Sequence, residues 1–188
     1  VYHRCYLVKN SQTHLPRRTV GKAHQCTSVL EDFALRGNFV VNSSVSVRKA
    51  LLMEVGLICE KTNVVTIEDF DTWIKLAKQS NKWRFDPEPL GFYFVGSANL
   101  SQTSAAVRSL ETFVEKHRAL FDCAARKYGW NWVNYAIGKG YFDMHKYEVS
   151  KTFFFSYLRF GTPKLVLLKS LFFFLLSMLN ILKCRFAN

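Results

Sequence analysis

The sequence predicts an α/β domain followed by an all-helical extension. Three observations carry that prediction. Through about residue 101, short apolar runs of strand character alternate with segments of helical period. From Ser104 onward the strand runs stop, and apolar residues keep helical spacing. The charge balance shifts at the same place: 13 basic and 9 acidic residues over 1–104, against 13 and 5 over 105–188. The expected organisation is therefore an α/β domain over 1–104 and a basic, apolar helical tail over 105–188.

At 188 residues with a formal charge of +12, the chain is long enough to bury a core. It starts at Val1 rather than Met, which suggests a fragment or a processed chain. Val1 to Asn10 lacks the basic-then-apolar design of a secretory signal. Positive charge beside apolar helix points to an anionic membrane surface. Nucleic acid is the weaker reading, since the basic residues are dispersed and no zinc-finger or RNP-like pattern occurs. Cys5, Cys26, Cys59, Cys123 and Cys184 are widely spaced and odd in number. They read as reduced thiols of a cytosolic protein, not as a zinc site or a disulfide frame.

In chain order, Val1 to Val8 is aromatic and β-branched and predicts a strand. Lys9 to Lys22 is polar, with Pro16 and Gly21, and reads as a loop in which Arg17-Arg18 is solvated or meets an anion. Ser28 to Leu35 predicts a short helix stopped near Gly37. Phe39 to Val47 predicts a second strand, interrupted by Asn42-Ser43-Ser44. Those small polar groups either bond to nearby backbone or line a pocket. A helix follows from Val47 to Val55, with Arg48-Lys49 in its first turn and Gly56 as the C′ residue. Glu60 to Val65 is a connection.

Thr66-Ile67-Glu68-Asp69-Phe70-Asp71-Thr72-Trp73 is the stretch with the strongest chemical character. Thr66 and Asp69 fit a relaxed capping box. Phe70, Trp73, Ile74 and Ala77 then repeat at i, i+3, i+4 and i+7, the buried face of a helix ending near Gln79 to Asn81. Three carboxylates thus fall at a helix N-terminus, where the dipole and free N–H groups favour the ionised form. They either only cap the helix or present a base to a cleft.

Lys82 to Phe85 alternates as a strand. Asp86-Pro87-Glu88-Pro89 reads as a turn. Leu90 to Val95 is another strand, ending in the small-residue loop Gly96 to Ser101. Ser104, Val107, Leu110, Val114, His117, Phe121 and Ala124 then hold helical spacing for five turns, with His117 as a packed core residue. Gly129 breaks that run. Asn131 to Lys139 and His145 to Arg159 predict a helical hairpin around Gly140. Thr162-Pro163 is an N-cap with proline at N1. The last helix contains Leu165 to Leu182. Leu171 to Leu182 is nearly all apolar, and this run is shorter than the roughly 20 residues a spanning helix needs. A buried or interfacial helix, with Lys164, Lys169, Lys183 and Arg185 at lipid headgroups, fits better.

Asn42 to Lys49, Glu54 to Leu57, Glu68 to Trp73, Pro89 to Tyr93 and Asn99-Leu100-Ser101 together resemble the second half of a bacterial family 2 glycosyltransferase. Each motif alone is weak; their order and spacing over 39–101 carry the resemblance. It implies an incomplete GT-A fold, a nucleotide-sugar-binding, Rossmann-like α/β domain, with the helical extension behind it. It implies an inverting transferase that moves a sugar from a nucleotide-sugar donor to a hydroxyl of a glycan or lipid-linked acceptor, in cell-surface polysaccharide synthesis. Asp69 matches the catalytic base, and Glu68 would orient the acceptor or the base. Asn42, Ser43, Ser44, Asp71 and Trp73 are the substrate-binding candidates.

The resemblance also implies a divalent cation, Mg or Mn, held mostly by a nucleotide-binding half expected ahead of Val1 with an Asp-x-Asp motif. Among residues 1–188 that spacing occurs only at Asp69-Phe70-Asp71, on the acceptor side, so no metal ligand is assigned here. Many relatives have Tyr-Arg-x-His where this chain has Tyr93-Phe94-Val95-Gly96, so help from that Arg and His in holding the diphosphate is missing. The expected location is cytoplasmic, peripheral on the inner face of the cell membrane. The alternative is a non-catalytic, truncated relative that docks on membrane or a partner enzyme through its helical tail.

Overall fold

The computed structural model describes residues 1–9, 18–60, 66–96, 104–158 and 162–186. Arg17, the connection at 61–65, Asn99-Leu100-Ser101 and Arg159 lie outside them. The chain forms two compact units, Val1–Ser101 and Gln102–Asn188. The first is mixed α/β with a small sheet; the second is helical.

In the first unit, β1 (Tyr2–Lys9) is the middle strand. It pairs antiparallel with the short β2 (Thr19–Val20) and parallel with β3 (Phe85–Val95). Parallel neighbours need a long crossover, and here it carries α1 (Val29–Arg36), α2 (Lys49–Glu54) and α3 (Glu68–Gln79). Ser28 caps α1, its hydroxyl accepting from Glu31 N–H, and Gly37 closes it. Asn81 ties the end of α3 to the start of α1, accepting from Val29 N–H at 3.2 Å and donating to Thr27 O at 2.9 Å. The core lies between these helices and the sheet. Phe33 is its centre, stacked on Phe39 at 4.6 Å and edge-on to Phe70 and Trp83. Tyr2, Phe70, Trp73, Ile74 and Leu76 are buried around it.

Four expectations are corrected in this unit. Phe39 to Val47 is not a strand: Asn42–Ser44 is a 3-10 turn. Ser44 donates from both its hydroxyl and its N–H to Val41 O, at 2.7 and 2.9 Å, so local bonds replace a ladder. Only Val45 keeps a bridge to the sheet, opposite Tyr2. Asp86 to Pro89 is not a turn but part of β3. His3 pairs with Asp86 and Arg4 with Pro89, so extra residues bulge out of register there. Proline suits that place, because its ring favours extended backbone before it and its missing N–H falls on an irregular edge strand.

Arg48 is the N-cap of α2 rather than part of its first turn. At the other end Gly56, at φ +84°, donates to Met53 O, and Leu57 to Leu52 O. That is a Schellman closure with Gly56 at C′. Finally, Thr66 does not cap α3. The N-cap is Ile67, with no side-chain cap bond, and Thr66 sits at φ +85°.

The second unit contains α4 (Ser104–Lys116), α5 (Arg118–Tyr128), α6 (Val133–Asp143), α7 (Tyr147–Phe155) and α8 (Lys164–Phe186). The expected five-turn helix is two helices, broken at His117, which is buried and edge-on to Phe113 at 5.0 Å. The hairpin turn lies at Met144–Lys146, not at Gly140. Gly140 is inside α6, where an added Cβ would come within 2.5 Å of Val107 Cγ2. Its role is close packing of α4 on α6. Ser150 on α7 donates to Gly138 O at 2.9 Å and joins Ser177 of α8 at 3.4 Å. Thr162 does not cap α8, since its hydroxyl makes no hydrogen bond. The argument that the last helix is too short to span also falls: over Lys164–Cys184 it is long and apolar enough to cross a membrane by length and composition.

Candidate functional site

The end of α1, the segment after it and the start of α3 enclose a cleft of about 660 Å³, within the size range of small-ligand sites. Lys22, Arg36, Asn38 and Asn42 line it, with Thr66, Asp69 and Tyr93. Each is placed by a local device. Gly37 ends α1 and turns the chain, so Arg36 and Asn38 flank the helix end. Asn38 Oδ1 then accepts from Val40 N–H at 3.0 Å. The 3-10 turn starts at Asn42 and leaves it exposed. Asp69 stands in the first turn of α3.

Asp69 is half-buried, and its Oδ1 accepts from Phe70 N–H at 2.6 Å. Burial raises its pKa above the ordinary carboxylate value. The Phe70 N–H opposes the rise, the neighbouring Glu68 charge adds to it, and a hydrogen bond from Asn38 opposes it again. The expectation that a helix N-terminus would hold this carboxyl more firmly ionised is therefore corrected: desolvation outweighs the helix end. A carboxylate of raised proton affinity facing a cleft is suited to accept a proton from a bound hydroxyl.

Thr66 adds a second mark. A β-branched residue in the left-handed region is a backbone outlier, costing on the order of 1–3 kcal/mol, and such residues gather at functional sites. Two buried polar atoms nearby lack partners: Glu68 Oε2, beside Asp69, and Arg36 Nε on the cleft wall. Buried polar groups are normally satisfied, so Arg36 Nε, which lies on the cleft lining, suits a ligand that supplies the partner.

The structure brings Asp69 and Asn42 onto the same cleft. Glu68 is half-buried next to Asp69 and outside the cleft lining. Asp71 is fully buried and paired with Lys75 at 2.9 Å. Trp73 and Ser44 are buried as well. Ser43 is exposed and hydrogen-bonds the Cys5 thiol, which burial pushes up in pKa. Asp71, Trp73, Ser43 and Ser44 thus support the framework around the cleft without lining it.

Sequence reasoning did not single out Lys22, Arg36 or Asn38. The signal available for the last two was Gly37, since polar residues beside a helix-ending glycine project from a fixed turn. Arg36 is itself fixed by Asp32, which is buried and forms an ion pair with it.

Among the described residues no three His, Cys, Asp or Glu side chains gather as a metal ion would require. The divalent cation that the resemblance implies would take its ligands mostly from outside these residues.

No family model, no curated protein and no solved structure matches the chain.

Proposed function

We propose that the first unit is the acceptor-side part of an inverting, nucleotide-sugar-dependent glycosyltransferase of GT-A type. The observation that carries this reading is Asp69: a carboxylate of raised proton affinity on a cleft that also holds Arg36, Asn38 and Asn42. In the proposed step, Asp69 takes the proton from an acceptor hydroxyl. The hydroxyl oxygen forms a bond to the anomeric carbon as the bond to the nucleoside diphosphate breaks. The diphosphate leaves with the electron pair, and Asp69 later releases its proton to solvent. Attack opposite the leaving group inverts the anomeric centre.

Asn38 holds the carboxylate, Asn42 meets the acceptor, and Lys22 and Arg36 face anionic groups. The reading calls for a donor-binding half in the protein that carries this chain. The exposed Leu90, Phe92 and Phe94 of β3 are an apolar surface that such a half would cover. The products belong to cell-surface glycan synthesis at the cytoplasmic side of the membrane.

The test uses that protein with a panel of nucleotide sugars, sugar acceptors and added Mg or Mn. Release of nucleoside diphosphate, with a product of inverted anomeric configuration by proton NMR, is the expected result. A product of retained configuration would overturn the single-displacement role of Asp69.

A further inference from the structure

The packing of α8 is inside out for a helix in water. Its most exposed large residues are Leu165, Leu168, Phe172, Leu175, Leu179 and Leu182, at 65, 64, 58, 52, 54 and 44%. These six keep a strict spacing of three and four, so they form one continuous stripe along the helix. The opposite face is turned to the protein, and there Ser170 and Ser177 are fully buried, as is Ser150 of α7. Large apolar groups outside and small hydroxyls at the helix contacts is the arrangement favoured where the surroundings are hydrocarbon. Small residues let the backbones approach closely, and the apolar stripe needs no protein cover. Val149 and Phe155 of α7 are also exposed, and Phe155 lies 6.0 Å from Phe174 of α8. α7 thus adds exposed apolar residues of its own beside α8.

A 3.5-residue stripe also suits a second copy of the helix. Charge decides against that occupant. Residues 164–186 contain no Asp or Glu, and their charged residues are Lys164, Lys169, Lys183 and Arg185. Two copies would set cation against cation with no acid to answer. Anionic lipid headgroups supply the missing complement. The depth of insertion follows from Lys169, which is exposed five residues into the helix. A charge there is solvated by headgroups if α8 lies flat and is buried in hydrocarbon if the helix stands upright.

We propose that α8 lies in the plane of one membrane leaflet, its Leu/Phe stripe in the acyl chains and its lysines among anionic headgroups. This is insertion rather than purely electrostatic docking, and it stands independently of the glycosyltransferase reading. The apolar stripe supplies the larger share of the binding.

The full chain, purified in mild detergent, is reconstituted with vesicles of phosphatidylcholine and phosphatidylglycerol and floated on a density gradient. It should float more completely as phosphatidylglycerol rises, and stay bound at about 1 M NaCl, where the Debye length is about 3 Å. L168E/L175E changes only exposed positions, so its circular dichroism should match the parent. Its bound fraction should fall by at least about tenfold, since each leucine would lose its burial in lipid.

Orientation is read by Leu168→Trp, Leu175→Trp and Leu182→Trp, with quenching by brominated lipids measured above the parent's own tryptophans. Equal depth at the three positions is expected of a flat helix. A Leu175→Trp signal deeper by about 10 Å, seven residues at 1.5 Å each, would overturn the in-plane placement. Complete release by salt, or a stable dimer that does not float, would overturn insertion itself.

Discussion

Replacing Asp32 by alanine removes the acceptor on which three groups of the first unit converge. Its buried carboxylate is paired with Arg36, accepts from Gln25 N–H at 2.6 Å and receives the Cys26 thiol at 3.4 Å. Breaking a buried ion pair from one side costs about 3–5 kcal/mol. Here the survivor has relief: Arg36 is 26% exposed, so it can turn toward water. The charge-assisted bond is then worth about 1.5–3 kcal/mol, and the stranded backbone N–H about 1 kcal/mol more. The sum is about 3 kcal/mol. Spread over a unit of this size, where 1 kcal/mol moves Tm by about 4–8 °C, it lowers the melting point by about 12–24 °C.

Asp32→Asn keeps an acceptor for Gln25 but loses the charge and the oxygen that accepts from the Cys26 thiol, so it should cost about half as much. Urea unfolding gives the two free energies. Hydrogen exchange of the segment around α1 assigns the loss to this unit. A cost below about 1 kcal/mol for the alanine variant would refute the reasoning, because the convergent bonds would then contribute nothing beyond solvent exchange.

Two further outcomes follow from other parts of the chain. Burial places the folded pKa of Asp69 above its ordinary value of 3.8. Its contribution to stability is therefore fully present below the unfolded pKa and is lost as pH rises through the folded one. Asp69→Asn should remove that segment of the pH dependence, as read by urea unfolding across the acidic range; an unchanged profile would contradict the burial argument. Gly140→Ala should destabilise the second unit by about 1–3 kcal/mol, despite alanine's better helix propensity, because the new methyl collides with Val107. Adding Val107→Ala should return part of the loss in thermal denaturation, and strict additivity of the two changes would show that they do not meet.

The helices most readable in the sequence were those whose periodicity and terminal residues agreed. α3 shows its buried face through Phe70, Trp73 and Ile74, and α1 has both Ser28 and Gly37. Where local chemistry competed with pattern, the pattern misled. Asn42-Ser43-Ser44 satisfied its own polar groups and became a turn, although β-branched residues flank it. The two prolines of β3 were absorbed by a bulge that only pairing with β1 reveals. Gly140 looked like a chain breaker, yet it serves an approach between helices 33 residues apart in sequence, at Val107.

The candidate site followed the same division. Asp69 and Asn42 were legible because motif order and helix position converge on them. Arg36 and Asn38 were not, because their role depends on where Gly37 turns the chain. Asp71 and Trp73 share the acidic, aromatic stretch with Asp69, but the helical period sends their side chains inward.

The most direct test of the central claim compares Asp69→Asn with Glu68→Gln in the protein that carries this chain. Both are measured for sugar transfer and for donor affinity. The account predicts that Asp69→Asn lowers kcat by about 10²–10⁴, the share of a general base, with donor Kd unchanged within about twofold, since the base acts in the transition state. Glu68→Gln should lower kcat by less. Turnover of Asp69→Asn equal to that of the parent would contradict the assignment of Asp69 as the base.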